Sequence, residues 1–273
     1  MGEEERMPQL FCVWAGEGGK YADAFVSGEY VGIEWDIGGL NQLGSLGEIR
    51  MRVRAAYPDE PHGRINNYVG SINGFIHRIR IGDFILTPTP GNKLLHIGEV
   101  ISYPFKVLNL DESCPHPYRR KVEWPAKVWR SELSKPIQRS LTSSRPVFRI
   151  KDGAPWIEEN MHDFFPPGWE DRMVGPGTRI PSPVEVEARE GYRIWLRYDD
   201  GASGEVDLSH LAGKGVFAAW NNRAFFESVH LDDNKAIVWN EELDLCPDAL
   251  YMDITGKTVE ELMPGLRGSH TNA

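Results

Sequence analysis

The sequence predicts an α+β protein of two domains: a partly closed N-terminal barrel with helices at its mouth, and a smaller C-terminal domain built on an antiparallel sheet. Three observations lead there. Within the first 150 residues the apolar pattern runs strand, helix, strand, helix, helix, and then mostly strands. From Pro181 onward, short alternating runs are separated by turn residues, which is how antiparallel strands read. Between these parts, 152–180 lacks periodicity and holds Pro155, Pro166, Pro167, Gly168, Pro176 and Gly177, as a linker does. The expected organisation is a domain at 1–150, a linker at 151–180, a domain at 181–264 and a disordered tail at 265–273. A chain of 273 residues is long enough for two modest cores.

In order, Leu10-Phe11-Cys12-Val13-Trp14 is a short apolar run expected as a buried strand. Gly16, Gly18 and Gly19 make a turn where backbone can approach a ligand closely. Tyr21, Ala24 and Phe25 have helical spacing, and Gly28 is a natural stop. Tyr30 to Trp35 is the next strand, ending in Asp36 and Gly38-Gly39, so Trp35 falls where strand becomes loop. Ser45 and Glu48 have capping-box spacing and open a helix that ends before Pro58.

The stretch Gly63 to Pro88 reads as one helix running into one strand. Ile65, Tyr68, Val69, Ile72, Phe75, Ile76 and Ile79 fall on one helical face, and Asn66, Asn67, Ser71, Asn73, His77 and Arg78 on the other. Gly82-Asp83 then turns the chain into Phe84–Thr87. An Asn-rich face suits reading the edge of a flat polar ligand, because Asn offers both donor and acceptor. The plainer alternative is a face turned to water. Leu94 to Ile101 is expected to pair with 83–87 across a turn at Gly91-Asn92. Residues 119–124 and 127–130 read as two strands broken at Pro125, Pro136 starts a short helix, and Val147 to Ile150 closes the domain.

In the linker, Trp156 and Phe164-Phe165 form an aromatic docking segment. Beyond it, 184–187 and 192–198 form a hairpin, 204–208 a third strand, 224–227 one helical turn, 229–231 and 236–239 a further pair across 232–234, and 259–263 a last helix.

Charge is uneven. Residues 1–150 hold 19 Lys+Arg and 17 Asp+Glu, a balance of +2, whereas 151–273 hold 11 and 23, a balance of −12. Within the first part, 119–149 carries nine basic residues against Glu123 and Glu132. The N-terminal part therefore suits a polyanion and the C-terminal part repels one. No apolar run approaches a membrane span and no signal-peptide pattern opens the chain, so a cytoplasmic protein without a membrane partner is expected. Cys12, Cys114 and Cys246 are odd in number and far apart, as reduced thiols are.

Several pieces together resemble the PUA-like, EVE-type reader module at the N-terminus of many modification-dependent restriction proteins. They are Val13-Trp14, Gly16-x-Gly18-Gly19-x-Tyr21-Ala22, Gly32-Ile33-x-Trp35, Asn67-Tyr68, Gly82 to Pro88, His96-Ile97-Gly98-x-Val100, Arg120-x-Val122-x-Trp124 and Val147-Phe148-x-Ile150. The resemblance covers about residues 10–150. It implies a pseudo-barrel that takes one flipped, modified nucleobase into an aromatic cage while basic surface holds the phosphates, in bacterial defence. Pro183 to Tyr251 resembles a small bacterial α+β family known only as a domain of unknown function, whose relatives are often encoded near toxin–antitoxin-like partners. The residues that carry it are Asp200-Gly201, Val206-Asp207-Leu208, Gly215-x-Phe217, Phe225, Ile237-x-Trp239 and 244–251.

A modified base inside a duplex hides its pairing edge, so a reader flips it out or uses single strands. Stacking on an aromatic ring contributes about 1–3 kcal/mol per base. On this reading Trp35 is one wall, Tyr68 the second and Asn67 the edge reader, with Trp14 and the Gly16 backbone as floor. The alternative makes these rings core residues. The run Arg119, Arg120, Lys121, Lys127, Arg130 and Arg139, with Trp124 and Trp129, suits backbone contact, each neutralised phosphate adding roughly 0.7–0.9 to the salt slope. Its alternative is a solvated charged face.

Catalysis finds little support: there is no Glu-x-Lys nuclease signature, Walker loop, His-Glu-x-x-His or Cys-x-x-Cys. Cys114 and His116 lack a second ligand pair, so no metal or cofactor is expected. Asp199, Asp200, Asp207, Asp232, Asp233 and Asp244 sit where turns are formed. The first expectation is a non-enzymatic modified-nucleic-acid reader whose acidic C-terminal domain docks a protein partner. The second is a protein–protein module of a toxin–antitoxin-like pair without nucleic-acid binding.

Overall fold

The computed structural model describes residues 7–38, 46–108, 110, 113–167, 180–232, 235–240 and 243–262. Gly39, Ser45 of the capping box, Asp233, Asn234 and the expected tail at 265–273 lie outside them. The described residues form two compact units, one of 7–37 and 61–167 and one of Gly38, 46–60 and 180–262. No described helix is long and apolar enough to cross a membrane.

The first unit is a mixed α+β structure on a curled half-barrel sheet. Its elements are β1 (Leu10–Val13), α1 (Ala22–Ser27), β2 (Tyr30–Ile33), α3 (His62–Asn73), β3 (Phe84–Pro88), β4 (Leu94–Val100), β5 (Phe105–Lys106), β6 (Tyr118–Trp129), α4 (Lys135–Ser140), β7 (Val147–Arg149) and α5 (Gly153–Phe164). Helix α2 (Leu46–Ala56) belongs to the other unit. The strand order is β2-β6-β4-β3-β1-β7, with β5 also on β6. Among the described residues the pair β1–β3 is parallel, and the pairs β1–β7, β2–β6, β3–β4, β4–β6 and β5–β6 are antiparallel. The expected 83–87/94–101 hairpin is present, with Phe84 opposite Glu99 and Pro88 opposite Leu95.

Three local expectations are corrected. Pro125 does not break the chain into two strands: β6 runs through it, because Pro125 sits in a bulge where the register steps from Ile97↔Ala126 to Glu99↔Glu123. A bulge tolerates a residue that cannot donate to the ladder. Gly98 faces the bulge, and a Cβ there would lie 2.5 Å from Val122 and 2.6 Å from the Glu123 carbonyl oxygen. Residues 153–164 of the expected linker form helix α5. Pro155 falls in its first turn, where its missing N–H is harmless, and Trp156, Ile157 and Phe165 join the core of β1, β3, β4 and β6. Finally, α3 does not continue as an α-helix to Ile79; it passes into a π-helical turn at Gly74–Arg78.

Alternation along the strands gives the sheet two faces. The outer face carries Leu10, Cys12, Phe84, Leu86, Leu95, Ile97 and Val128 and is packed by α4 and α5. The inner face carries Phe11, Val13, Ile85, Val100 and Val122. Crossing the bulge exchanges the parity of β6, so Arg119 and Lys121 fall on the outer face while Tyr118 and Arg120 fall on the inner one.

In the second unit, β8 (Pro183–Arg189), β9 (Arg193–Tyr198) and β10 (Ser203–Asp207) form one antiparallel sheet. A second antiparallel sheet joins β11 (His230–Leu231), β12 (Ile237–Asn240) and β13 (Leu243–Leu245). Helices α6 (Arg223–Phe226), α7 (Pro247–Thr255) and α8 (Val259–Leu262) complete it. The core is aromatic: Trp220 lies 4.8 Å from Trp239 between ring centroids, and Trp239 Nε1 donates to the Phe226 carbonyl at 2.7 Å. Helix α2 packs on β13, and its Leu46 N–H donates to Asp244 Oδ1 at 3.4 Å. Asp200, Asp207 and Asp232 accept turn N–H groups from Ala202, Ser209 and Ala236, and Asp200 also accepts the Tyr251 hydroxyl at 2.6 Å.

Candidate nucleic-acid interface

Trp35 stands two residues beyond Ile33, so alternation sends its indole to the inner face with Val31 and Ile33. It is 3% exposed. Tyr68, half-buried on α3, meets it with ring centroids 5.3 Å apart and planes tilted by 47°. The two expected walls are therefore neighbours, but they touch. A third ring between them needs about twice that stacking distance, so the slot is closed in this arrangement.

Asn67 is half-buried beside Tyr68. The rest of the polar face of α3 is not simply turned to water: Ser71, Asn73 and His77 are buried, while Asn66 and Arg78 are exposed. Ser71 Oγ and Asn73 Oδ1 find no hydrogen-bond partner among the described residues. The same holds for Tyr118 Oη on the inner face, in register with Ile33. Ser71 is one helical turn from Tyr68, and Tyr118 is one ladder step from the strand end that carries Trp35. Buried polar atoms are almost always paired, so these two merit an explanation. Sequence spacing had placed Ser71 on the Asn-bearing face but gave no signal for Tyr118.

Lys106 was also missed. Its Nζ lies 2.8 and 3.0 Å from the two carboxylate oxygens of Asp36, beside Trp35, and 5.6 Å from the centre of the Tyr118 ring. The hydrogen bond to Asp36 raises its pKa. This ion pair ties β5 to the end of β2.

Two other expected residues sit elsewhere. Trp14 packs with Leu10, Cys12 and Leu86 against the outer-face core, so it faces away from Trp35 and does not floor that site. Gly16 does bring backbone close to something, but the neighbour is the protein itself. It has φ +72°, and a Cβ there would stand 2.6 Å from the Tyr21 ring. Gly19, at φ +79°, approaches the Pro88 carbonyl in the same way.

The expected phosphate contacts divide. Arg120 is 2% exposed, and its guanidinium donates to the carbonyls of Phe75, Ile76 and Ser102 at 2.8, 3.0 and 3.1 Å. It holds the end of the π-helical turn and does not present a rim charge. Arg119 is also buried; it donates to the carbonyls of His116 and Cys114 at 3.0 and 2.9 Å and lies 4.0 Å over the Tyr30 ring. Lys121 is half-buried on the outer face. Lys127 is exposed and Arg130 half-exposed, with Arg130 Nη2 donating to the Gln138 carbonyl at 2.8 Å. Trp129, 54% exposed, follows two residues after Lys127 on the same side of β6, and Arg139 is exposed on α4. Past the bulge that side is the inner face, so Lys127 and Trp129 share it with Trp35. In the same rung, Lys127 lies opposite His96, and His96 opposite Thr87. Burial first, then the Lys127 charge, lowers the His96 pKa, with Asp23 opposing.

Comparison with known families gives two matches. Residues 15–150 match a family described as a domain of unknown function (DUF8426), and residues 183–256 match one described as a protein of unknown function (DUF2442). Neither is described as a PUA-like or EVE-type family. No curated protein matches the chain. The chain is thus similar, over most of each of its expected domains, to two families whose descriptions state no activity.

Proposed function

We propose that the first unit is a non-enzymatic nucleic-acid reader of PUA-like, EVE-type design that stacks one extruded, modified base on Trp35. The observation that carries this reading is the position of Trp35. Its indole lies on the inner face at a strand end, and the half-buried ring of Tyr68 covers it from a neighbouring helix. Rotation of Tyr68 about χ1 opens the slot that the touching rings close. Ser71 Oγ and Tyr118 Oη then supply buried polar atoms to pair with the edge of the base, beside Asn67. Lys127 and Arg130 hold phosphates, with Trp129 as an accessory stacking ring. The acidic second unit docks a protein partner, in the bacterial defence setting that the sequence resemblance implies.

Binding of oligonucleotides carrying 5-methylcytosine, 5-hydroxymethylcytosine or cytosine, followed by fluorescence polarisation at low salt, tests the reading. The expected result is at least a tenfold preference for one modified strand, lost in Trp35→Ala, in line with about 1–3 kcal/mol per stacked base. Equal or negligible binding to all three rejects it. A second reading has its own observation: Trp35 and Tyr68 pack ring against ring as core residues do. On that reading the first unit is a scaffold and the chain is a protein–protein module. Capture of one stoichiometric partner, unaffected by nuclease, favours it.

A further inference from the structure

We infer that the outer face of the half-barrel carries a second binding site, for a small phosphorylated molecule with a flat ring, of the nucleoside monophosphate class. A cleft of about 480 Å³ opens between the end of α1, the start of β2, β5 and the start of β6, lined by Ser27, Glu29, Tyr30, Phe105, Val107, Arg119 and Lys121. That volume lies in the range of small-ligand sites, about 300–1,000 Å³. It does not involve Trp35 or Tyr68, and it does not depend on the reading proposed above.

Its chemistry follows from how its cations and rings are held. The Arg119 guanidinium cannot wander. Two of its N–H groups are engaged by the His116 and Cys114 carbonyls, and its flat side lies on Tyr30. A guanidinium fixed in this way meets an anion without first losing conformational freedom. Lys121 lines the same cleft two residues on, and side chains at i and i+2 share a strand face. Among the described lining residues two are basic and one, Glu29, is acidic, which suits an anion. Phe105 stands opposite Arg119 in the ladder and remains 40% exposed, a large apolar ring left in water at the lip. A flat heterocycle laid on Phe105 removes that surface from water, while its phosphate reaches Arg119 and Lys121. Glu29 is an acceptor for sugar hydroxyls or an exocyclic amine. At Gly28 a Cβ would stand 2.3 Å from the Tyr30 ring, so the missing side chain lets that ring lie under the end of α1.

Isothermal titration of the full chain with AMP, GMP, CMP and UMP, and separately with adenosine and inorganic phosphate, tests the site. At least one monophosphate is expected to bind saturably, at least tenfold more tightly than phosphate alone or nucleoside alone. Lys121→Glu, at a half-buried position, and Phe105→Ala, at an exposed one, are each expected to weaken it at least fivefold with an unchanged far-ultraviolet spectrum. Absence of saturable binding by every monophosphate overturns the proposal. So does binding that both variants leave unchanged, or phosphate alone binding as tightly as the nucleotide.

Discussion

Arg119 and Arg120 are adjacent in sequence, both buried, and both bonded to backbone carbonyls, yet they serve opposite faces of one sheet. Arg120 works inward, where it bonds two carbonyls of the π-helical turn after α3, those of Phe75 and Ile76, and that of Ser102 just beyond β4. Arg119 works outward, where it lies on Tyr30 and lines a cleft. The inner face is closed by ring against ring, and the outer cleft stands open. The difference shows that a run of basic residues on a strand is not one surface. Each step along the strand changes the chemistry that the charge meets, and burial decides whether it is structural or available.

The largest expected effect breaks the inner side of this comparison. Arg120→Ala leaves the carbonyls of Phe75, Ile76 and Ser102 without their donor in a buried site, and is expected to destabilise the first unit by about 3–5 kcal/mol in chemical denaturation. Lysine offers no planar fork, so Arg120→Lys should recover little of it. Arg119→Ala, with two carbonyl bonds and a ring contact, is expected to cost about half as much, roughly 2 kcal/mol. Equal losses for the two variants would remove the distinction between the faces.

The next effect sharpens the outer side. His116 is buried against Tyr21 and Phe25, with Nδ1 3.0 Å from the Gly32 carbonyl oxygen. Burial pushes its pKa down to about 4, only partly opposed by the bond to Gly32. The folded protein therefore favours the neutral ring, whereas the unfolded chain takes up a proton below about pH 6.5. The contribution is fully present above that pH, is lost as pH falls towards 4, and is then constant. It amounts to roughly 3 kcal/mol at most. Denaturation midpoints measured between pH 7 and 4 should show this slope on top of that from other groups, and His116→Gln should remove it.

Much of the fold was legible because periodicity reports burial directly. The hairpins 84–88/94–100 and 183–189/193–198 follow from alternation and turn residues. Less legible was anything set by one irregularity. Arg119, Lys121 and Lys127 share odd numbers, so they read as one basic face. The bulge at 124–125 adds a residue and sends Lys127 to the other side. Helix α5 was hidden because Pro155 and scattered aromatic residues imitate a linker, whereas a proline in the first turn does not stop a helix. In the candidate site, Trp35 and Tyr68 are expected as two walls with a base between them, and the structure instead has the two rings against each other. Their direct contact depends on tertiary packing and leaves no trace in spacing.

The most direct test of the reader is to watch a base leave its stack. A duplex with one modified cytosine and 2-aminopurine as its 3′ neighbour is titrated with the wild-type chain, Tyr68→Ala and Trp35→Ala, and 2-aminopurine emission is followed. The expected result is an emission rise with the wild type, an equal or larger rise at lower protein concentration with Tyr68→Ala, whose covering ring is gone, and no rise with Trp35→Ala. Binding without any rise in the wild type, or the same rise in Trp35→Ala, would contradict it.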